Sequence, residues 1–140
     1  MMLQSVRDLL AHDSFARETG VEITHVEPGK ASARLLVGPK HLNGAGICQG
    51  GALFTLADTA FAAAANSHRH VTVSTCANMA FLRPAGEGWL YAEAVEAFSH
   101  ERLPYYVVEI RNASGELVAQ MTSHGYCTRT PVPGVEMNKE

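Results

Sequence analysis

Hydrophobic and polar positions divide the chain into segments of distinct period. Leu3, Val6, Leu9 and Leu10 recur at helical spacing and predict a short amphipathic helix over 3–12 that lays one face on the core. Two strand-like runs, "VEITHV" (21–26) and "ASARLLV" (31–37), flank "EPGK", whose Pro-Gly pair marks a turn, so a hairpin is predicted. Residues 50–67 are alanine-rich and apolar nearly all round, which predicts a helix buried on most sides. After it, Val71, Val73, Thr75, Ala77, Met79 and Phe81 alternate with Thr72, Ser74, Cys76, Asn78, Ala80 and Leu82, the pattern of a strand that runs until Pro84. Three more strands are predicted at "WLYAEAVEAFSH" (89–100), "PYYVVEIRN" (104–112) and "LVAQMTSHGYCT" (117–128), with turns at "PAGEG" and "NASGE".

This order predicts an α+β fold, an antiparallel sheet wrapped around a long central helix. A chain of 140 residues suits one domain, here residues 1–130, with "PVPGVEMNKE" (131–140) as a flexible tail. A hydrophobic fraction of 46% with 18% charged residues belongs to a folded protein. The net charge is −3 and the eleven Lys and Arg are scattered, which argues against nucleic-acid and membrane partners. Cys48, Cys76 and Cys127 are widely spaced and form no C-x-x-C pair, so neither a disulfide framework nor a zinc site is expected and a reducing cytoplasm fits. Arg7 and Asp8 interrupt the N-terminal apolar positions, and no run approaches the roughly 20 apolar residues of a membrane span, so neither export nor membrane insertion is expected.

Candidate chemistry centres on "GICQGGALFTLADTAFAAAANS" (46–67), where Asp58 is the one formally charged residue. Burying an unpaired carboxylate costs several kcal/mol or raises its pKa. Asp58 is therefore either a structural acid bonded to Thr55, Thr59 or a backbone amide, or a general base or nucleophile in a partly dry pocket. Gly50-Gly51 at the start of the same helix leaves backbone N–H groups open to a ligand, where they favour phosphate or an acyl-transfer oxyanion; alternatively, the glycines permit tight helix–sheet packing. Gly50 and Asp58 lie eight residues apart in sequence, roughly 12 Å along one helix, too far to serve a single carbonyl. Two antiparallel helices in a dimer would instead set Gly50 of one chain against Asp58 of the other. The glycine-rich loop over 38–49 is long enough to invite a functional reading as well.

The segment Asn43-Gly44 … Gln49-Gly50-Gly51 … Leu56-Ala57-Asp58-Thr59-Ala60-Phe61 … Asn66-Ser67, followed by Phe81-Leu82-Arg83-Pro84, resembles the hotdog-fold acyl-CoA thioesterases of the phenylacetate-degradation branch. The likeness extends over about residues 15–127. It implies that Gly50 supplies the oxyanion-hole amide and that Asp58 of the partner subunit activates water or attacks the thioester. It also implies that Asn43 orients the thioester or the water and that Ser74, on the more polar face of its strand, places the attacking water. Gly51 and Arg83 are the substrate-binding candidates, Arg83 for the coenzyme A phosphates, although a surface ion pair is an equally ordinary use for it. Gln49 stands where the family usually has histidine; its amide either donates to the thioester carbonyl or caps the helix. Thr122-Ser123-His124 departs from the usual basic residue followed by serine. No metal or redox cofactor is implied, coenzyme A being part of the substrate, and the partners expected are an acyl-CoA and further copies of the chain, at least a homodimer and, as two dimers, a homotetramer. His68 and His70 read as solvated and Cys48 as a small packed thiol. The rival readings are an acyl-CoA-binding protein without turnover and a hydratase, the latter disfavoured by the missing histidine.

Overall fold

The computed structural model describes residues 2–134. Helix α1 (Met2–Leu10) is followed by α2 (Ser14–Thr19), the hairpin β1 (Glu22–Glu27) and β2 (Lys30–Val37), the long helix α3 (Gly50–Ala65), and strands β3 (His70–Phe81), β4 (Gly88–Phe98), β5 (Tyr105–Asn112) and β6 (Leu117–Pro131). All strand pairs are antiparallel, in the order β1-β2-β4-β5-β6-β3, so β1 and β3 are the edges. Gly29, at φ +73°, makes the turn of the predicted hairpin.

Helix α3 fills the concave side of the sheet. Ala57, Ala60, Ala63 and Ala64 are fully buried against sheet positions that are themselves small, Ala31, Ala33, Ala92 and Ala94, and this pairing lets helix and sheet approach closely. Phe61 meets Tyr106 edge-on at 5.3 Å. One stripe of α3 stays uncovered: Gly51, Phe54, Thr55, Asp58 and Ala62 follow each other at helical spacing and are exposed or half-buried.

Three features depart from the sequence expectation. Helix α2 is too short to leave a periodic signature, but Asp13 caps it by accepting the Ala16 N–H and Gly20 ends it at φ +102°. On β3 the alternation is broken by a bulge: Ser74 faces Gly125 and Cys76 faces His124, leaving Thr75 as the extra residue. Thr72 and Ser74 therefore share the helix-facing side with Ala77, Met79 and Phe81, and the placement of Ser74 on an opposite, more polar face is corrected. At the C-terminal end, β6 continues to Pro131 and Val132 is buried, its N–H bonded to the Arg69 carbonyl. Of the tail expected over 131–140, residues 135–140 lie outside the described residues.

Candidate active site

The glycine-rich loop is organised by its own polar groups. A 3-10 turn over Pro39–His41 leads to Leu42, which bridges to Cys48 across a tight reversal. Asn43 closes that reversal: its N–H donates to the Ile47 carbonyl at 2.7 Å, and its Oδ1 accepts the N–H groups of Ala45 and Ile47 at 2.9 and 3.3 Å. Only the Nδ2 group of Asn43 is left for a ligand. The far end of the loop hangs between two backbone acceptors, Cys48 N–H on Ala85 at 2.7 Å and Gln49 N–H on His41 at 2.8 Å.

Gln49 is the N-cap of α3, its Oε1 accepting the Gly51 N–H at 2.6 Å. The Gly50 N–H, one residue earlier, has no hydrogen-bond partner among the described residues. A methyl group at either glycine would crowd a neighbouring side chain. A Cβ on Gly50 would lie 3.1 Å from the Phe81 ring, and one on Gly51 would lie 2.5 Å from Gln49 Oε1. Gly50 therefore combines an unpartnered N–H with close packing on Phe81.

A cleft of about 380 Å³ opens on Gly50 and is walled by Ile47, Leu53, Phe81 and Pro84, with Asn43 and Arg83 on its border. The structure thus gathers Asn43, Gly50 and Arg83 in one place. Arg83 also pairs with Glu116 at 3.0 Å, both side chains about half exposed, so it has the surface partner anticipated as its alternative use. Gln49 and Gly51 border a second cleft of about 390 Å³ between α2 and α3, with His41 and Thr55.

Asp58 lies on the uncovered stripe of α3, one turn beyond Thr55, and lines neither cleft. Thr55 Oγ1 donates to the Gly51 carbonyl and Thr59 Oγ1 to the Thr55 carbonyl, so neither threonine is its structural partner. Among the described residues nothing hydrogen-bonds or ion-pairs with the carboxylate. Burial, followed by the nearby Asp13 carboxylate, raises its pKa above the ordinary aspartate value.

Ser74 Oγ lies 2.9 Å from Ser123 Oγ, which is fully buried, so the serine of the unusual Thr122-Ser123-His124 run serves as an anchor for Ser74. Because β3 runs antiparallel to α3, with Phe81 beside Gly50 and the Thr72 backbone bonded to Asn66, Ser74 sits at the far end of the helix from Gly50. Within one chain, then, Gly50 and Ser74 stand toward opposite ends of α3, with Asp58 between them along the helix.

His68 is not simply solvated: its Nε2 lies 2.9 Å from Glu96 Oε2, which also accepts the Tyr106 hydroxyl at 2.6 Å. No cluster of metal-ligating side chains exists among the described residues. Cys48 is buried, which pushes its thiol pKa up and away from nucleophilic character. Among the described residues no helix is long and apolar enough to cross a membrane. Two residues that shape the site carry no sequence signal of their own role. Phe81 reads as an alternating position and as part of the Phe81-Leu82-Arg83-Pro84 motif, neither of which points to its contact with Gly50, and His41 as one polar residue of a loop.

Comparison with known proteins agrees with this architecture. Residues 45–119 match the thioesterase superfamily. The chain is 35% identical over 117 residues to the acyl-coenzyme A thioesterase PaaI of Escherichia coli, covering 83% of this chain and 84% of that protein. It is 32% identical over 120 residues to a putative esterase of Archaeoglobus fulgidus, covering 84% and 78% respectively. The solved structure of the E. coli PaaI protein, from the phenylacetic acid degradation operon, superimposes with a TM-score of 0.89 at 31% identity, covering 93% of this chain and 95% of that one. The matched segment contains the capped start of α3, the Asp58 stripe and strands β3, β4 and β5, so the chain belongs to the thioesterase superfamily, as a PaaI-like thioester hydrolase with the hotdog fold.

Proposed function

We propose that the protein hydrolyses an aryl- or medium-chain acyl-CoA to the free acid and coenzyme A, at sites shared between two chains. The observation that carries this reading is Asp58: a half-buried carboxylate with no partner among the described residues, on the one stripe of α3 that its own chain leaves uncovered. The acyl-CoA substrate class is supported by the name of the E. coli relative, and the aryl preference by the operon of its solved structure.

In the proposed site the thioester carbonyl oxygen accepts the free Gly50 N–H, which faces negative charge with the positive end of the α3 dipole behind it. Asp58 of the partner subunit either draws a proton from water or attacks the carbonyl carbon, and both routes require the ionised acid. On the water route the tetrahedral intermediate collapses to the free acid with expulsion of the coenzyme A thiolate, which takes up the proton held by Asp58; on the direct route collapse expels the thiolate and leaves a mixed anhydride on Asp58, which water hydrolyses to the free acid and the regenerated carboxylate. An in-chain site is opposed by distance, since the eight residues between Gly50 and Asp58 span roughly 12 Å of helix. A two-fold axis near the middle of edge strand β3 would reverse the order of the partner's elements and set its Gly50 near this chain's Ser74. Exposed Val73 and Phe81 on that strand supply apolar surface for such a dimer, and two dimers would complete a tetramer. Asn43, through Nδ2, orients the thioester or the water, Ser74 assists in placing the water, and Arg83 meets the coenzyme A phosphates.

Thiol release from a panel of aryl and straight-chain acyl-CoAs, with wild type and Asp58→Asn side by side, tests the proposal. Turnover by wild type and its loss in the variant are expected. Tight acyl-CoA binding without turnover would favour the non-catalytic reading.

A further inference from the structure

We infer that His41 is a positioning residue for the oxyanion donor, holding the Gly50 N–H in place through the backbone of Gln49; this rests on the thioesterase reading above. The imidazole is buried, 7% exposed, and both ring nitrogens are engaged by backbone. Gly38 N–H donates to Nδ1 at 2.9 Å, and Nε2 lies 2.6 Å from the Thr19 carbonyl oxygen. A carbonyl oxygen cannot donate, so the hydrogen is on Nε2 and the ring is the neutral tautomer. The ring therefore ties the last residue of α2 to the 3-10 turn that precedes the active loop.

The same residue's carbonyl accepts the Gln49 N–H at 2.8 Å. Gln49 is the residue whose side chain occupies the Gly51 N–H and whose peptide carries the free Gly50 N–H. On the other side of the segment the Cys48 N–H is fixed by Ala85. Of these two suspension points only the His41 one is set by a buried side chain. The Gly38 bond to Nδ1 shapes the turn that aims the His41 carbonyl, whereas the Thr19 bond docks that turn on α2. Displacement of an oxyanion donor by a fraction of an ångström acts on the transition state more than on substrate affinity, so the effect belongs in kcat.

Three variants separate positioning from mere stability. His41→Ala removes both ring bonds; His41→Asn places an amide oxygen where Nδ1 accepts from Gly38 but does not reach Thr19. His41→Gln keeps a donor toward Thr19 without the acceptor for Gly38. Assayed for thiol release well below their melting temperatures, His41→Ala and His41→Gln are expected to lose roughly 10- to 100-fold in kcat with KM within about threefold. His41→Asn is expected to recover most of that kcat while melting below wild type. Amide hydrogen exchange gives a readout independent of activity: the Gln49 amide is expected to exchange fast in His41→Ala and slowly in wild type and His41→Asn, with Cys48 unchanged. Should His41→Ala not fold, His41→Gln carries the same expectations. Unchanged kcat in the folded variants, equal kcat losses in Asn and Gln variants, or unchanged Gln49 exchange would overturn the inference. Absence of thiol release by wild type on every acyl-CoA would sink the thioesterase reading instead, and the exchange pattern would still decide whether His41 holds Gln49.

Discussion

Gln49 Oε1 accepts the Gly51 N–H at 2.6 Å, so of the two glycine amides at the start of α3 the Gly50 N–H alone remains a free donor. Gln49, where the resemblance leads one to expect histidine, thus decides which of the two amides is left without a partner among the described residues. Serine is among the best N-caps and has no amide group to lend to a substrate. Gln49→Ser is expected to keep stability and to retain kcat within about threefold, whereas Gln49→Ala costs about 1 kcal/mol in urea unfolding. A tenfold fall in kcat for Gln49→Ser at unchanged stability would show that the glutamine amide itself acts on the thioester.

The two glycines should respond differently to a methyl group. In Gly51→Ala the new Cβ would lie 2.5 Å from Gln49 Oε1, so the cap must break, and the expected loss of about 1 kcal/mol of cap energy offsets the better helix propensity of alanine. In Gly50→Ala the contact is with the tip of the Phe81 ring at 3.1 Å, which a ring shift of a few tenths of an ångström relieves, so stability is expected to hold or rise. Paired urea melts distinguish the two; a larger loss for Gly50→Ala would contradict the assignment.

Asp58 couples catalysis to stability through its raised pKa. Below the ordinary aspartate range, near pH 3.9, the acid is protonated in both folded and unfolded chains and costs nothing. As pH rises through the higher folded-state value the carboxylate must ionise in a half-buried place, and stability is lost. Asp58→Asn is therefore expected to melt above wild type at neutral pH, the gain vanishing on acidification, while activity falls at least about a hundredfold. The acid limb of wild-type kcat/KM should lie above the ordinary aspartate range, because only the ionised form reacts. A variant less stable than wild type at neutral pH would mean that the carboxylate has a stabilising partner.

Much of this was legible in the sequence because each signal was local. The alanines of α3 announced close packing, and Asp58 stood out as a charge in an apolar run. Other features depended on contacts distant along the chain. His41 reaches Thr19 across 22 residues, and no periodicity carries that information. The Thr75 bulge is invisible to an alternation count, because one extra residue moves everything before it to the other face; that is how Ser74 came to lie beside Ala77 and Met79. The pair His68 and Glu96, 28 residues apart, turned a seemingly solvated histidine into a bonded one for the same reason.

Arg83 separates binding from folding. Its pair with Glu116 is half exposed, so Arg83→Ala is expected to change stability by less than about 0.5 kcal/mol. If the guanidinium meets coenzyme A phosphates, KM for acyl-CoA should rise roughly tenfold at low salt with kcat nearly unchanged, and the difference should shrink as salt is added. An unaltered KM would leave Arg83 as a surface ion pair only.

Each proposed site takes Gly50 from one chain and Asp58 from the other, so variants of the two residues are expected to complement each other within a dimer. Gly50→Pro deletes the N–H at the first helical position, where proline is well accommodated, and Gln49 at φ −65° and ψ 138° already has the conformation that precedes proline. Gly50→Pro and Asp58→Asn, each inactive alone, are unfolded together, refolded and assayed for thiol release. A mixed dimer then contains one intact site and one doubly defective site, so statistical mixing is predicted to restore roughly a quarter of wild-type activity. A mixture that forms mixed dimers and stays as inactive as its parents would contradict the shared site.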